Sequence, residues 1–328
     1  MKKDVKAVNL LYLIDVVLII LGFTVLVMLL GIACLPFKGM GINYEQVIDK
    51  FIELVNDNQI LAMVISQGLI GIPIIVFYFN KKKLVSNAIR FNKLTPKTVV
   101  CLIVLTYTLL PVMTFINMLS MVFVENKISS TINNIVENQS IIVAILCVAM
   151  LPAFVEETLC RGIIYNVHSK VSVKRAVIMS GVLFGLLHCN FNQFAYAFFM
   201  GTIFALVVEA TNSTLATVLM HFIINCNSLV LAYVSVFTGQ KMSIDEEVDM
   251  TLQQVLSWGI VAIVAFIISI LVYIELAKSA NRLEYVKNEL LYFNKGEVVD
   301  KKDSKIVDIY LLIAMIVCIV YMISIEIM

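Results

Sequence analysis

Three short patterns hold the residues able to do chemistry. Glu156-Glu157-Thr158-Leu159-Cys160-Arg161 sets two carboxylates beside a guanidinium, Phe184-Gly185-Leu186-Leu187-His188 ends on an imidazole, and His221-Phe222-Ile223-Ile224-Asn225 places an imidazole one helical turn before an amide. Glu157 and Arg161 stand at i and i+4 with the acid nearer the N-terminus, the favourable order for a helical ion pair. Glu156 points about 100° around the helix from Glu157 and is left without a cation. A carboxylate in that state is the group type that takes a proton from an attacking water. Two imidazoles and an amide can orient such a water or stabilise the oxyanion that forms when it adds to a carbonyl. Each residue also has a plainer use. Glu157 and Arg161 can simply hold their helix, a single intramembrane histidine more often bridges helices, and Asn225 can do the same. Two of the three histidines fall in apolar runs, whereas His168 falls in a basic loop. The patterns HExxH, GxGD and GxSxG are absent.

The elements that must carry these residues are membrane helices. The chain has 328 residues, 61% hydrophobic and only 14% charged, which lies outside the range of soluble domains. A net charge of +1 provides no basic field for nucleic acid. The 7 cysteines all lie in or beside apolar runs, without CxxC spacing, and read as small core residues. A bilayer core of about 30 Å needs roughly 20 apolar residues in a helix. Nine runs qualify, at about 10–35, 59–79, 98–124, 141–164, 173–189, 191–210, 214–237, 255–277 and 307–327, the fifth being the shortest. With no alternating barrel pattern, the expected fold is all-α, a polytopic helical bundle forming a single transmembrane domain over 1–328, with the motif core at about 141–237. The first run is too long for a cleavable signal segment.

Nine spans sort the 24 Lys and Arg unevenly. Lys2, Lys3, Lys6, Lys81, Lys82, Lys83, Arg90, Lys93, Lys97, Arg161, Lys170, Lys174, Arg175, Lys278, Arg282, Lys287, Lys295, Lys301, Lys302 and Lys305 share one side. Only Lys38, Lys50, Lys127 and Lys241 fall on the other, among acids such as Glu45, Asp49, Glu53, Asp245, Glu246, Glu247 and Asp249. The positive-inside rule then puts the N-terminus in the cytoplasm and the C-terminus outside. Amphipathic interfacial helices are expected at 44–57 and 128–138. The charged 278–305 stretch reads as a partly helical cytoplasmic connection, and Trp258 as an interfacial anchor.

Depth tests whether the polar residues can meet. At 1.5 Å per residue, Glu156 lies about 12 Å from the cytoplasmic end of its span, His221 about 11 Å and His188 about 22 Å. Glu156 and His221 share a level, and His188 joins them only if its short span is tilted or its boundaries move. Pro152 removes a backbone donor, frees the Val148 carbonyl and kinks the fourth span before the acids. Ala197, Gly201 and Ala205 give small-xxx-small spacing for close helix approach. Asp15 and Glu209 read as locally paired or boundary residues.

Taken in order, EExxxR, FxxxH and HxxxN resemble the CPBP family of intramembrane proteases, named for CAAX proteases and bacteriocin-processing enzymes and also called Abi. The resemblance covers about 70 residues, Glu156 to Asn225, each motif on its own apolar run. It implies an endopeptidase of the CAAX prenyl protease 2 type, acting on a membrane-associated protein or peptide, in a multi-pass protein of a prokaryotic cell membrane. On that reading Glu156 is the general base, supported by Glu157 and Arg161. His188, His221 and Asn225 position the water and stabilise the oxyanion, or His188 and His221 hold a metal ion such as Zn2+, as the label metalloprotease would have it. Eukaryotic relatives cleave prenylated CAAX proteins. Partners would be membrane lipid and the substrate. A non-catalytic immunity or regulatory protein with the same polar cluster is a rival, though every motif residue is retained. A proton-coupled transporter is another, disfavoured by the lack of inverted repeats with paired broken helices.

Overall fold

The computed structural model describes residues 1–34, 44–124, 128–239, 252–290 and 305–327. Lys38, Lys127, Lys241, Lys295, Lys301, Lys302, Asp245, Glu246, Glu247 and Asp249 of the orientation argument lie outside the described residues. Among the described residues every regular element is a helix, as a backbone in lipid must satisfy its own hydrogen bonds.

The helices are α1 (Lys2–Cys34), α2 (Tyr44–Asp57), α3 (Gln59–Asn80), α4 (Lys82–Ala88), α5 (Pro96–Met121) and α6 (Ile128–Asn138). There follow α7 (Ile141–His168), α8 (Val173–Leu187), α9 (Phe191–Thr211), α10 (Thr214–Thr238), α11 (Leu252–Ser279), α12 (Leu283–Leu290) and α13 (Ile309–Ile327). The starts are written in the sequence. Asn58, Thr95, Ser140, Ser172 and Asn190 each accept a hydrogen bond from the N–H three residues on, satisfying donors a helix cannot pair itself. The ends of α9 and α10 turn through left-handed Asn212 (φ 52°) and Gly239 (φ 66°).

Among the described residues eight helices are long and apolar enough to cross a membrane: α1, α3, α5, α7, α9, α10, α11 and α13. The fifth expected run departs from this. It forms α8, 15 residues long, or about 22 Å, short of a bilayer core. Most of its residues are buried against protein, with Ile178 as its exposed large apolar side chain. The interfacial helices appear where expected, as α2 and α6, both strongly amphipathic, and Phe51 of α2 stacks on Phe23 of α1 with ring centroids 6.2 Å apart. Of the charged 278–305 connection, α12 and the residues around it are described and 291–304 are not. The cysteines are free thiols, three of them buried.

Helices α8 and α9 form an antiparallel hairpin joined by His188–Asn190. The glycines explain how closely they lie. A Cβ on Gly201 would stand 2.8 Å from the Gly181 Cα and 2.9 Å from the Phe184 Cβ, and one on Gly181 would overlap Thr202 Oγ1. Ala197 and Ala205 extend the same buried stripe, so the small-residue face of α9 is the seat of α8.

At the basic end a buried carboxylate ties five segments. Glu209 of α9 receives Arg90 Nη1 (3.0 Å), the Tyr165 hydroxyl of α7 (3.0 Å) and the Tyr285 hydroxyl of α12 (2.9 Å), while Arg282 Nε donates to its backbone carbonyl (2.6 Å). Burial first, and then the Glu209 carboxylate, push the Tyr285 phenol up to about 12, so it remains a donor at neutral pH. Glu209 is paired as expected, though with distant segments. Asp15 is neither paired nor at a boundary: it is fully buried on α1 and neither carboxylate oxygen has a partner among the described residues. His168 corrects the loop reading as well. It closes α7, is 1% exposed, and its Nε2 lies 2.8 Å from Asn9 Oδ1, because α1 covers the end of α7.

Candidate active site

Span α7 carries the acids, and it is not a regular α-helix. Two π-helical segments, Ile145–Met150 and Thr158–Tyr165, bracket the α-helical turns Leu151–Glu157. Such widened turns occur mostly at functional positions. Pro152 stands at the start of the central α segment, and Asn225 of α10 donates its side-chain N–H to the Val148 carbonyl at 3.3 Å. The carbonyl that the proline leaves without its α-helical donor is thus capped from another span.

The two glutamates have separate surroundings. Glu157 accepts from Arg161 Nη1 at 2.7 Å, both side chains being fully buried, and the same Oε1 lies 3.2 Å from His221 Nδ1. The guanidinium packs against two aromatic rings, Phe184 at 4.1 Å and Phe204 at 5.0 Å from its carbon, a cation–π arrangement that offsets part of the cost of burying it. Glu156 is also buried. It has no cation, and accepts instead from Gln67 Nε2 of α3 at 2.9 Å.

Phe184 is the spacer between the histidines. Its ring meets His188 edge-on (centroids 5.0 Å, 83°) and His221 edge-on (5.7 Å, 89°). His188 closes α8, with its Nδ1 2.8 Å from the Phe184 carbonyl. A carbonyl only accepts, so Nδ1 carries the proton and the neutral ring keeps its lone pair on Nε2. Nδ1 of His221 faces the Glu157 carboxylate, which in a neutral ring leaves the lone pair on Nε2. The Glu156 carboxylate and the His221 ring both act electrostatically on His188, and Glu156 acts likewise on Tyr196 of α9. The next residue, Cys189, adopts the left-handed conformation (φ 49°), which lets the chain reverse immediately after the imidazole.

Glu157, Arg161, His188 and His221 therefore gather around Phe184, while Glu156, beside Glu157 in the chain, is held by Gln67. Asn225 stands one turn further along α10 and is engaged with Val148. Imidazole Nε2 lone pairs accept hydrogen bonds from a water, and a carboxylate takes its proton. Both Nδ1 positions are engaged in the manner of metal-bound histidines. The remaining donors do not complete a set, however: among the described residues no three His, Cys, Asp or Glu side chains are gathered so as to hold a metal ion.

Sequence reasoning missed Gln67, Phe204 and Tyr196. Each is a single polar or aromatic residue in an apolar run, without a motif around it. The only signal was the presence of an amide mid-span at Gln67.

A family model described as type II CAAX prenyl endopeptidase Rce1-like matches residues 138–227, the segment that contains all three motifs and agrees with the resemblance read from them. A comparison with curated proteins and with solved structures finds no match.

Proposed function

We propose, on the premise of that family match, that the chain is an intramembrane endopeptidase hydrolysing a peptide bond of a membrane-associated protein or peptide. The observation that carries this is the contrast between the two acids. Glu157 is committed to Arg161 and His221, while Glu156 is buried without a counter-ion and within electrostatic reach of His188. A water beside Glu156 gives it one proton as its oxygen bonds to the scissile carbonyl carbon. Collapse of the tetrahedral intermediate breaks the C–N bond, and Glu156 passes the proton to the leaving amine. Glu157 orients His221, the Phe184 carbonyl orients His188, and the second amide N–H of Asn225 is the donor offered to the oxyanion. No step is derived through a metal, because the donors do not assemble a ligand set.

The family description points to prenylated CAAX-type substrates, so a farnesylated fluorogenic CAAX peptide is the first probe. Wild type in detergent or nanodiscs is expected to cleave it, and E156Q and H221A to fall by about 100-fold or more while remaining folded. Cleavage by both variants at the wild-type rate would sink the proposal. The rival transporter reading predicts instead proton-coupled uptake in vesicles.

A further inference from the structure

The residue that holds Glu156 comes from outside the matched segment. Helix α3 buries Gln67, Ile70 and Pro73, three positions on one face that packs against α7. Ile70 joins the apolar core, and packing alone would ask for a similar side chain at 67. An amide there is 7% exposed and donates its N–H to Glu156 Oε1 at 2.9 Å. Its other end is free: Gln67 Oε1 is buried with no hydrogen-bond partner among the described residues. A buried amide with one end satisfied and the other unpartnered is destabilising for the resting protein, unless the free end has a task.

We infer that Gln67 is a positioning residue for Glu156: its N–H fixes the carboxylate, and its carbonyl oxygen accepts the second O–H of the water that Glu156 deprotonates. The water half rests on the protease reading, while the carboxylate half does not. An amide suits both duties because it is donor and acceptor without charge. Holding the base and the nucleophile in one geometry is worth a large factor in rate, and a displacement of about 1 Å can cost 100-fold.

The test uses the full chain with the farnesylated peptide. Q67M keeps the length and removes both hydrogen bonds; kcat is expected to drop about 10- to 100-fold with KM and the thermal midpoint unchanged. Q67E keeps the shape but donates only when protonated, so its rate should climb as pH is lowered from about 8 to 6, a trend that a purely structural role would not produce. Wild-type kcat in Q67M, with E156Q inactive, overturns the inference and leaves the protease reading standing. No cleavage by wild type overturns the protease reading and the water half with it. The carboxylate half is then decided by infrared spectroscopy, using the Glu156 carboxylate band assigned by its loss in E156Q. That band shifts in Q67M if the amide holds it, and a band that stays put refutes the contact.

Discussion

Adjacent glutamates with the same chemistry should respond differently to substitution. Glu157 compensates an arginine that has no exposure and packs against Phe184 and Phe204. E157A leaves that cation buried and unpaired, and removing one partner of such a pair costs about 3–5 kcal/mol. Denaturation in mixed micelles should show a loss of this size, and the double variant E157A/R161M should recover most of it, because an apolar pair of similar volume is tolerated where a lone charge is not. Equal stability of E157A and wild type would mean that the ion pair does not hold α7. This pair was legible in the sequence, since i,i+4 spacing in a helix leaves few alternatives. Gln67 was not. Hydropathy tolerates one amide in a span, and its partner lies 89 positions away in the chain, a separation on which no local pattern reports.

At the scale of helices, the fourth span shows how a single proline sets a contact between elements. Pro152 has no N–H for the Val148 carbonyl, and Asn225 supplies one from α10. N225A should therefore cost about 1 kcal/mol in the wild-type background and close to nothing in P152A, where the backbone can provide the missing donor. A double-mutant cycle on thermal unfolding measures the difference, and additive effects would break the link. The sequence revealed the freed carbonyl and the asparagine but not their meeting, which depends on the crossing of two helices. Nor could it reveal the π-helical turns on either side of the acids, since a widened turn has no residue signature of its own. The short α8 shows that apolarity reports burial without saying whether lipid or protein does the covering. His168 was placed in a loop for the related reason that the basic residues after it masked its packing on α1.

For the molecule as a whole, the uneven distribution of basic residues makes a separate prediction about the direction in which the bundle sits in the membrane. In a cysteine-free background, a cysteine at Lys83 should react with a membrane-impermeant maleimide only from the cytoplasmic side, and one at Asp57 only from the outside. The reverse pattern would invert the assignment. The basic end so oriented is also where Glu209 gathers Arg90, Tyr165, Arg282 and Tyr285 from separate parts of the chain. Among the described residues no comparable knot joins the far ends of α7 and α10, where the small apolar cluster of Ile135, Ala144, Val148, Ala149 and Leu229 is accompanied by the hydrogen bond from the Tyr233 hydroxyl to the Gln139 carbonyl (2.8 Å). Rods gripped at one end sway most at the other, since small angular play is multiplied by distance from the grip. The membrane half remote from Glu209 is then the compliant half, where helices can part to admit something as broad as a polypeptide without loosening the anchorage that keeps the acids and imidazoles in register.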